Sequence, residues 1–113
     1  MAAEELRIRA KHEDLIAYMH IVIAHFPKSE KFTLAAQIKT QMLNILRLMI
    51  KANKAKRKLP VLLEIDTELE VFRTLLRLSM QLKFLPFKKY EHAAGMTAEI
   101  GRMLGGWLKF AKE

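Results

Sequence analysis

Three prolines divide this 113-residue chain into four segments, and within each segment apolar residues recur every three or four positions. A proline in a helix interior removes a hydrogen bond and clashes with the preceding turn at a cost of roughly 3 kcal/mol, so Pro27, Pro60 and Pro86 read as boundaries. The first segment spans about Glu4 to His25 and sets Ile8, His12, Leu15, Met19, Val22 and Phe26 on one face. In "FPKSEKF" the proline ends that helix, and Ser29 is the predicted N-cap of the second, its hydroxyl accepting an otherwise unpaired N–H. The second helix runs from about Glu30 to Asn53 or slightly beyond, with Leu34, Ile38, Met42, Ile45, Leu48 and Met49 inward. Pro60 suits the first turn of the third, which continues to about Phe84, and Pro86 opens the fourth in the same way. No alternating β-branched pattern competes, so the spacing predicts an all-α, up-down-up-down four-helix bundle. One domain, 1–113, is expected, a size that buries roughly 65% of the unfolded surface.

The third helix carries more apolar surface than one neighbour can cover. At about 100° per residue, Leu62, Ile65, Leu69, Phe72 and Leu76 form one seam, and Val71, Leu75, Leu78, Leu82 and Leu85 form another about 130° away. The second seam faces either another helix of the same bundle or another subunit, and the small core favours a homo-oligomer. The last helix raises a related question in "EIGRMLGGWLK", where three glycines each cost about 1 kcal/mol relative to alanine. Gly101 and Gly105 share a face, Gly106 flattens the adjoining strip and Trp107 stands beside it. The predicted use is close packing against a helix of this chain or of a neighbour; a flexible hinge is the competing account.

Charge is unevenly placed. The chain holds 20 Lys and Arg against 12 Asp and Glu. Residues 28–58 alone contain nine cations (Lys28, Lys31, Lys39, Arg47, Lys51, Lys54, Lys56, Arg57 and Lys58) and one acid, Glu30, which accounts for the whole net charge of +8. Arg47, Lys51, Lys54 and Lys58 make a stripe if the helix persists that far, and Lys56 and Arg57 thicken its end. Arg73 and Arg77, four apart on the third helix, are candidates to fork onto phosphate oxygens, although Glu70 can pair with Arg73 instead. Localised cations of this kind are the electrostatic footprint of a nucleic-acid binder, and an acidic protein surface would meet the same patch.

Other chemistries find little support. Without cysteine there is neither a disulfide framework nor a thiolate metal site. No two histidines have the spacing of a zinc helix, His12 falls on the apolar face as a core residue, and His92 with Glu91 is too isolated for acid-base work. There is no phosphate-binding loop, nucleophile elbow or carboxylate cluster. The seven methionines read as core filler. The expectation is a non-enzymatic protein with no cofactor, no metal and no membrane segment, placed in the cytoplasm.

"FPKSEKFTL" at 26–34, "LEVFRTLLRLSMQLKFL" at 69–85 and "YEHAAGMTAEIGRMLGGWLK" at 90–109 resemble the accessory variability determinant (Avd) proteins of diversity-generating retroelements. These are related to four-helix-bundle proteins encoded within intervening sequences of bacterial large-subunit ribosomal RNA genes. The resemblance implies a barrel-like homopentamer with a basic surface that binds reverse transcriptase and RNA or cDNA, and supports mutagenic cDNA synthesis without catalysis of its own. It marks Arg73 and Arg77 as polar-face contacts, and Gly101, Arg102, Gly105, Gly106 and Trp107 as a packing signature. The chain departs from the pattern at Pro86, where the relatives carry serine, and at Lys89, where they carry glutamine. The ribosomal-insertion branch stays open beside the retroelement branch.

Overall fold

The first helix ends at Ile23, two residues short of the expected His25 and ahead of Pro27, and the second does not begin at once. In the computed structural model, which describes residues 3–111, α1 spans Ala3–Ile23, α2 Leu34–Lys54, α3 Leu59–Gln81 and α4 Phe87–Phe110. The domain expected over 1–113 therefore has its outermost residues, 1, 2, 112 and 113, outside the described residues. Between α1 and α2 a short 3-10 turn covers Lys28–Glu30.

That turn corrects the expected start of α2. Ser29 does not cap the helix; it sits inside the 3-10 turn, and α2 begins at Leu34 rather than Glu30. Pro27 directs the chain into three-residue hydrogen bonds, from the Glu30 N–H to the Pro27 carbonyl (2.8 Å) and from the Lys31 N–H to the Lys28 carbonyl (3.1 Å). Thr33, at the helix boundary, donates its hydroxyl to the Glu30 carboxylate at 2.7 Å and so does not cap the helix either.

The other boundaries follow the prolines with small shifts. Pro60 lies in the first turn of α3, where its missing N–H costs nothing. α3 stops at Gln81, short of Phe84, because Lys83 takes a left-handed backbone (φ 68°). The N–H groups of Phe84 and Leu85 both return to the Ser79 carbonyl, at 2.9 and 3.1 Å, closing the helix end and turning Leu85 into the core. Pro86 stands one residue before α4 in an extended conformation, rather than within its first turn.

Lysine at a left-handed position is costly, and glycine is the usual occupant. Lys83→Gly is therefore expected to stabilise the protein by about 0.5–1 kcal/mol, because relief of the side-chain clash exceeds the added entropy of the unfolded chain. Thermal unfolding of the two proteins checks it: a lower midpoint in the variant would refute the strain.

α2 packs on α1 and α3, and α4 packs on α3 and α1, so each helix has two neighbours in a four-helix bundle measuring 44 × 24 × 19 Å. The described residues contain no strand. All six residues expected on the inner face of α1 are buried, as are Ile38, Met42, Ile45, Leu48 and Met49 of α2, while Leu34 is half-buried. Met19, Met42 and Met49 fill the centre of the core, whereas Met80, Met96 and Met103 lie half-buried at its margin.

The two seams of α3 have different fates. The seam from Leu62 to Leu76 is wholly buried. Of the second, Leu85 is buried and Leu75 is half-buried against the core, while Val71, Leu78 and Leu82 remain 41%, 42% and 56% exposed, and no described helix covers them.

The glycines of α4 are not seats for a neighbouring backbone within the chain. A Cβ at Gly101 would stand 2.6 Å from Nη2 of Arg73, so the glycine makes room for a guanidinium reaching over from α3. Gly105 and Gly106 face open space, while Trp107 beside them is buried in the core.

Candidate nucleic-acid interface

The inner face of α2 fixes where its cations point. With Ile38, Met42, Ile45 and Met49 held in the core, Lys39, Arg47, Lys51 and Lys54 are turned out to solvent. Arg47, Lys51 and Lys54 follow Asn44 by three, seven and ten residues, which keeps all four within about 80° of arc. Asn44 itself faces α3, where it and Gln41 donate to the Glu68 carboxylate at 3.5 and 2.7 Å. Gln41 also donates to the Glu68 carbonyl at 2.9 Å.

The stripe does not extend to Lys58 as the sequence pattern suggested. The helix ends at Lys54, with Ala55 extended, and Lys58 folds back over that end. Its Nζ donates to the carbonyls of Ala52 (2.8 Å), Asn53 (3.1 Å) and Ala55 (3.1 Å). The Ala52 carbonyl also accepts the Ala55 N–H at 3.3 Å; the ammonium adds donors at the end of the helix, where carbonyls lack intrahelical partners and partial negative charge accumulates. Lys58 is a lock on the helix end. Lys56 and Arg57 stay exposed in the connection between α2 and α3.

The remaining predicted contacts lie elsewhere. Glu68 is level with Asn44, and the α2–α3 connection is about equally far from both along the chain. Arg47, Lys51 and Lys54 thus approach the connection, while Arg73 and Arg77 run away from it. Arg73 also faces α4, donating from Nη1 to Glu70 at 3.1 Å with its other amine over Gly101. Arg77, one turn further, is exposed. Lys39 borders a separate hollow of about 280 Å³ with His20, Phe26, Lys28 and Lys31. The predicted contacts therefore occupy three places: a corner made by Arg47, Lys51, Lys54, Lys56 and Arg57 with Lys58 closing its floor, the Arg73–Arg77 pair, and Lys39.

Within the corner, Arg47, Lys51, Lys54 and Lys56 make no ion pair with any described residue. Four unneutralised cations on a rigid helix and its trailing turn suit a polyanion with regularly spaced charges. Among the described residues no three His, Asp or Glu side chains gather where a metal could bind, and no helix is long and apolar enough to cross a membrane.

A family model described as bAvd-like matches residues 6–111. The chain belongs to that family. No curated protein matches it. The match spans all four helices, including α1, which the sequence motifs marked least, and it places this Avd-type chain in an accessory-protein family rather than a family of known enzymes.

Proposed function

We propose that this Avd-type protein is a non-enzymatic accessory factor of a diversity-generating retroelement, holding RNA or cDNA beside the element's reverse transcriptase while the polymerase supplies the chemistry. Arg47, Lys51, Lys54 and Lys56 at the α2–α3 corner carry this reading: they offer phosphates a fixed electrostatic seat without base-specific donors. Arg77 adds a second contact on the neighbouring helix. The same reading takes the helices in up-down-up-down order, supported by the Lys11–Glu99 ion pair (3.2 Å) and the Tyr18–His92 ring contact (4.5 Å), in which α1 numbering rises as that of α4 falls. It takes the uncovered α3 seam of Val71, Leu78 and Leu82 as the subunit contact of a homopentameric ring working in the cytoplasm.

Binding of labelled single-stranded RNA across a salt series tests the corner. Affinity is expected to fall steeply with salt, and converting Arg47, Lys51, Lys54 and Lys56 to Gln is expected to flatten the slope by about 0.7 for each phosphate that is no longer neutralised. Lys58→Met should instead lower thermal stability by roughly 1 kcal/mol, because the carbonyls at the helix end then go without their ammonium donor, and leave the salt slope in place. An affinity indifferent to salt, or unaltered in the fourfold variant, would defeat the proposal.

A further inference from the structure

Three helix ends enclose a groove at the margin of the core, away from the basic corner. The last turn of α1, the end of α3 and the start of α4 surround about 670 Å³, lined by Ile21, Val22, Met80, Phe84, Leu85 and Phe87. That volume lies within the roughly 300–1,000 Å³ of ordinary ligand pockets. Ile21 and Phe87 remain 65% and 61% exposed, so the apolar walls open directly to solvent.

The rim has one sign of charge. Lys83 and Lys89 border the groove, no Asp or Glu among the described residues lines it, and neither lysine is in an ion pair with a described residue. His25 is the other polar group present, and its Nδ1 is tied to the Ile21 carbonyl at 3.1 Å. Lys83 reaches the rim from a left-handed backbone position, where glycine would be the less strained residue.

We propose that this groove docks a short acidic and apolar peptide segment of a partner protein. A leucine or phenylalanine side chain enters between Ile21, Met80 and Phe87, and carboxylates on either side of it meet Lys83 and Lys89. Charge complementarity fixes the acidic flanks, and the floor fixes the inserted group. A nucleobase placed there would bring its polar edge against Ile21, Val22, Met80 and Leu85, leaving hydrogen-bonding atoms unpaired, whereas an aliphatic or phenyl side chain brings none. The proposal stands apart from the nucleic-acid reading, because it uses neither the α2–α3 corner nor Arg73 and Arg77.

Fluorescence anisotropy of the full chain tests it with a labelled ten-residue peptide of glutamates interrupted by two leucines and one phenylalanine. Saturable binding is expected, weakened about tenfold or more by Lys83→Glu with Lys89→Glu and by Ile21→Glu, with circular dichroism confirming that each variant is folded. An all-glutamate peptide should bind at least about tenfold more weakly than the mixed one, since the groove then stays empty. Lys83→Gly should bind the peptide more weakly while melting at a higher temperature, a pairing that a purely structural role for this lysine would not produce. Three results would each overturn the proposal: no saturable binding at millimolar peptide, equal affinity for the all-glutamate peptide, or binding unaffected by the variants. Displacement of the peptide by oligouridylate with the same dependence on Lys83 and Lys89 would assign the groove to nucleic acid and equally overturn it. So would loss of self-association in the lysine variants without peptide binding, which would give the groove to a second copy.

Discussion

Replacing Phe72 by alanine is expected to lower the unfolding free energy by about 3–5 kcal/mol, the largest effect of any single truncation in this bundle. Phe72 is the bulkiest of the side chains that are completely buried, and it sits on α3, which packs against both α2 and α4. Removing its ring opens a cavity among residues fixed on three helices, so little collapse can fill it. A domain of this size has roughly 5–15 kcal/mol in total, and the variant should stand close to its unfolding midpoint under mild denaturant. Urea unfolding of wild type, Phe72→Ala and Phe32→Ala checks this. Phe32 is exposed, and its truncation should fall within about 0.5 kcal/mol of wild type. A cost below about 1 kcal/mol for Phe72 would mean that the buried seam of α3 is misassigned.

The same seam shows how far the sequence can be read. Leu62, Ile65, Leu69, Phe72 and Leu76 were identifiable because a helical period needs only local geometry, and each is buried. The companion seam was equally periodic, yet Val71, Leu78 and Leu82 are left uncovered by the chain. Periodicity marks a face as apolar and is silent about what meets it. "FPKSEKF" misled for a different reason: a serine after a proline satisfies the rule for an N-cap, but the hydrogen bonds of the 3-10 turn used the backbone first and moved the helix start to Leu34.

Long side chains were the least legible part of the candidate site. Lys58 continues the stripe of Arg47, Lys51 and Lys54 by spacing, but its four-carbon stem lets it turn back onto carbonyls three to six residues earlier. Arg73 similarly crosses to α4 and explains Gly101, a glycine whose sequence context suggested contact between backbones. The groove beneath Lys83 and Lys89 joins residues near positions 21–25, 80 and 83–89, which no local pattern links. A clue was present in the lysine next to the end of α3, where a glycine would have been the ordinary choice.

Acid is expected to loosen the bundle through His12, and the direction follows from its surroundings. Its Nε2 donates to the Met42 carbonyl at 2.8 Å, joining α1 to α2, while Nδ1 is buried with no partner among the described residues. Burial holds its pKa below the usual 6.5, outweighing the opposing pull of the Met42 carbonyl and the nearby Glu13 charge. Because the unfolded chain then takes up a proton before the folded one does, the contribution is complete above about pH 6.5 and declines as pH falls through that value toward the lower folded pKa. The decline approaches about 1.4 kcal/mol per pH unit where the unfolded imidazole is charged and the folded one is neutral. His12→Leu removes the titrating ring and keeps an apolar side chain between the helices, so its stability should be flatter from pH 7 to 5, with the three remaining histidines common to both proteins. Parallel urea titrations of the two proteins across that range measure the difference. Identical pH slopes would show that the imidazole accepts its second proton without opening the α1–α2 contact, and that Nδ1 finds a partner when it does.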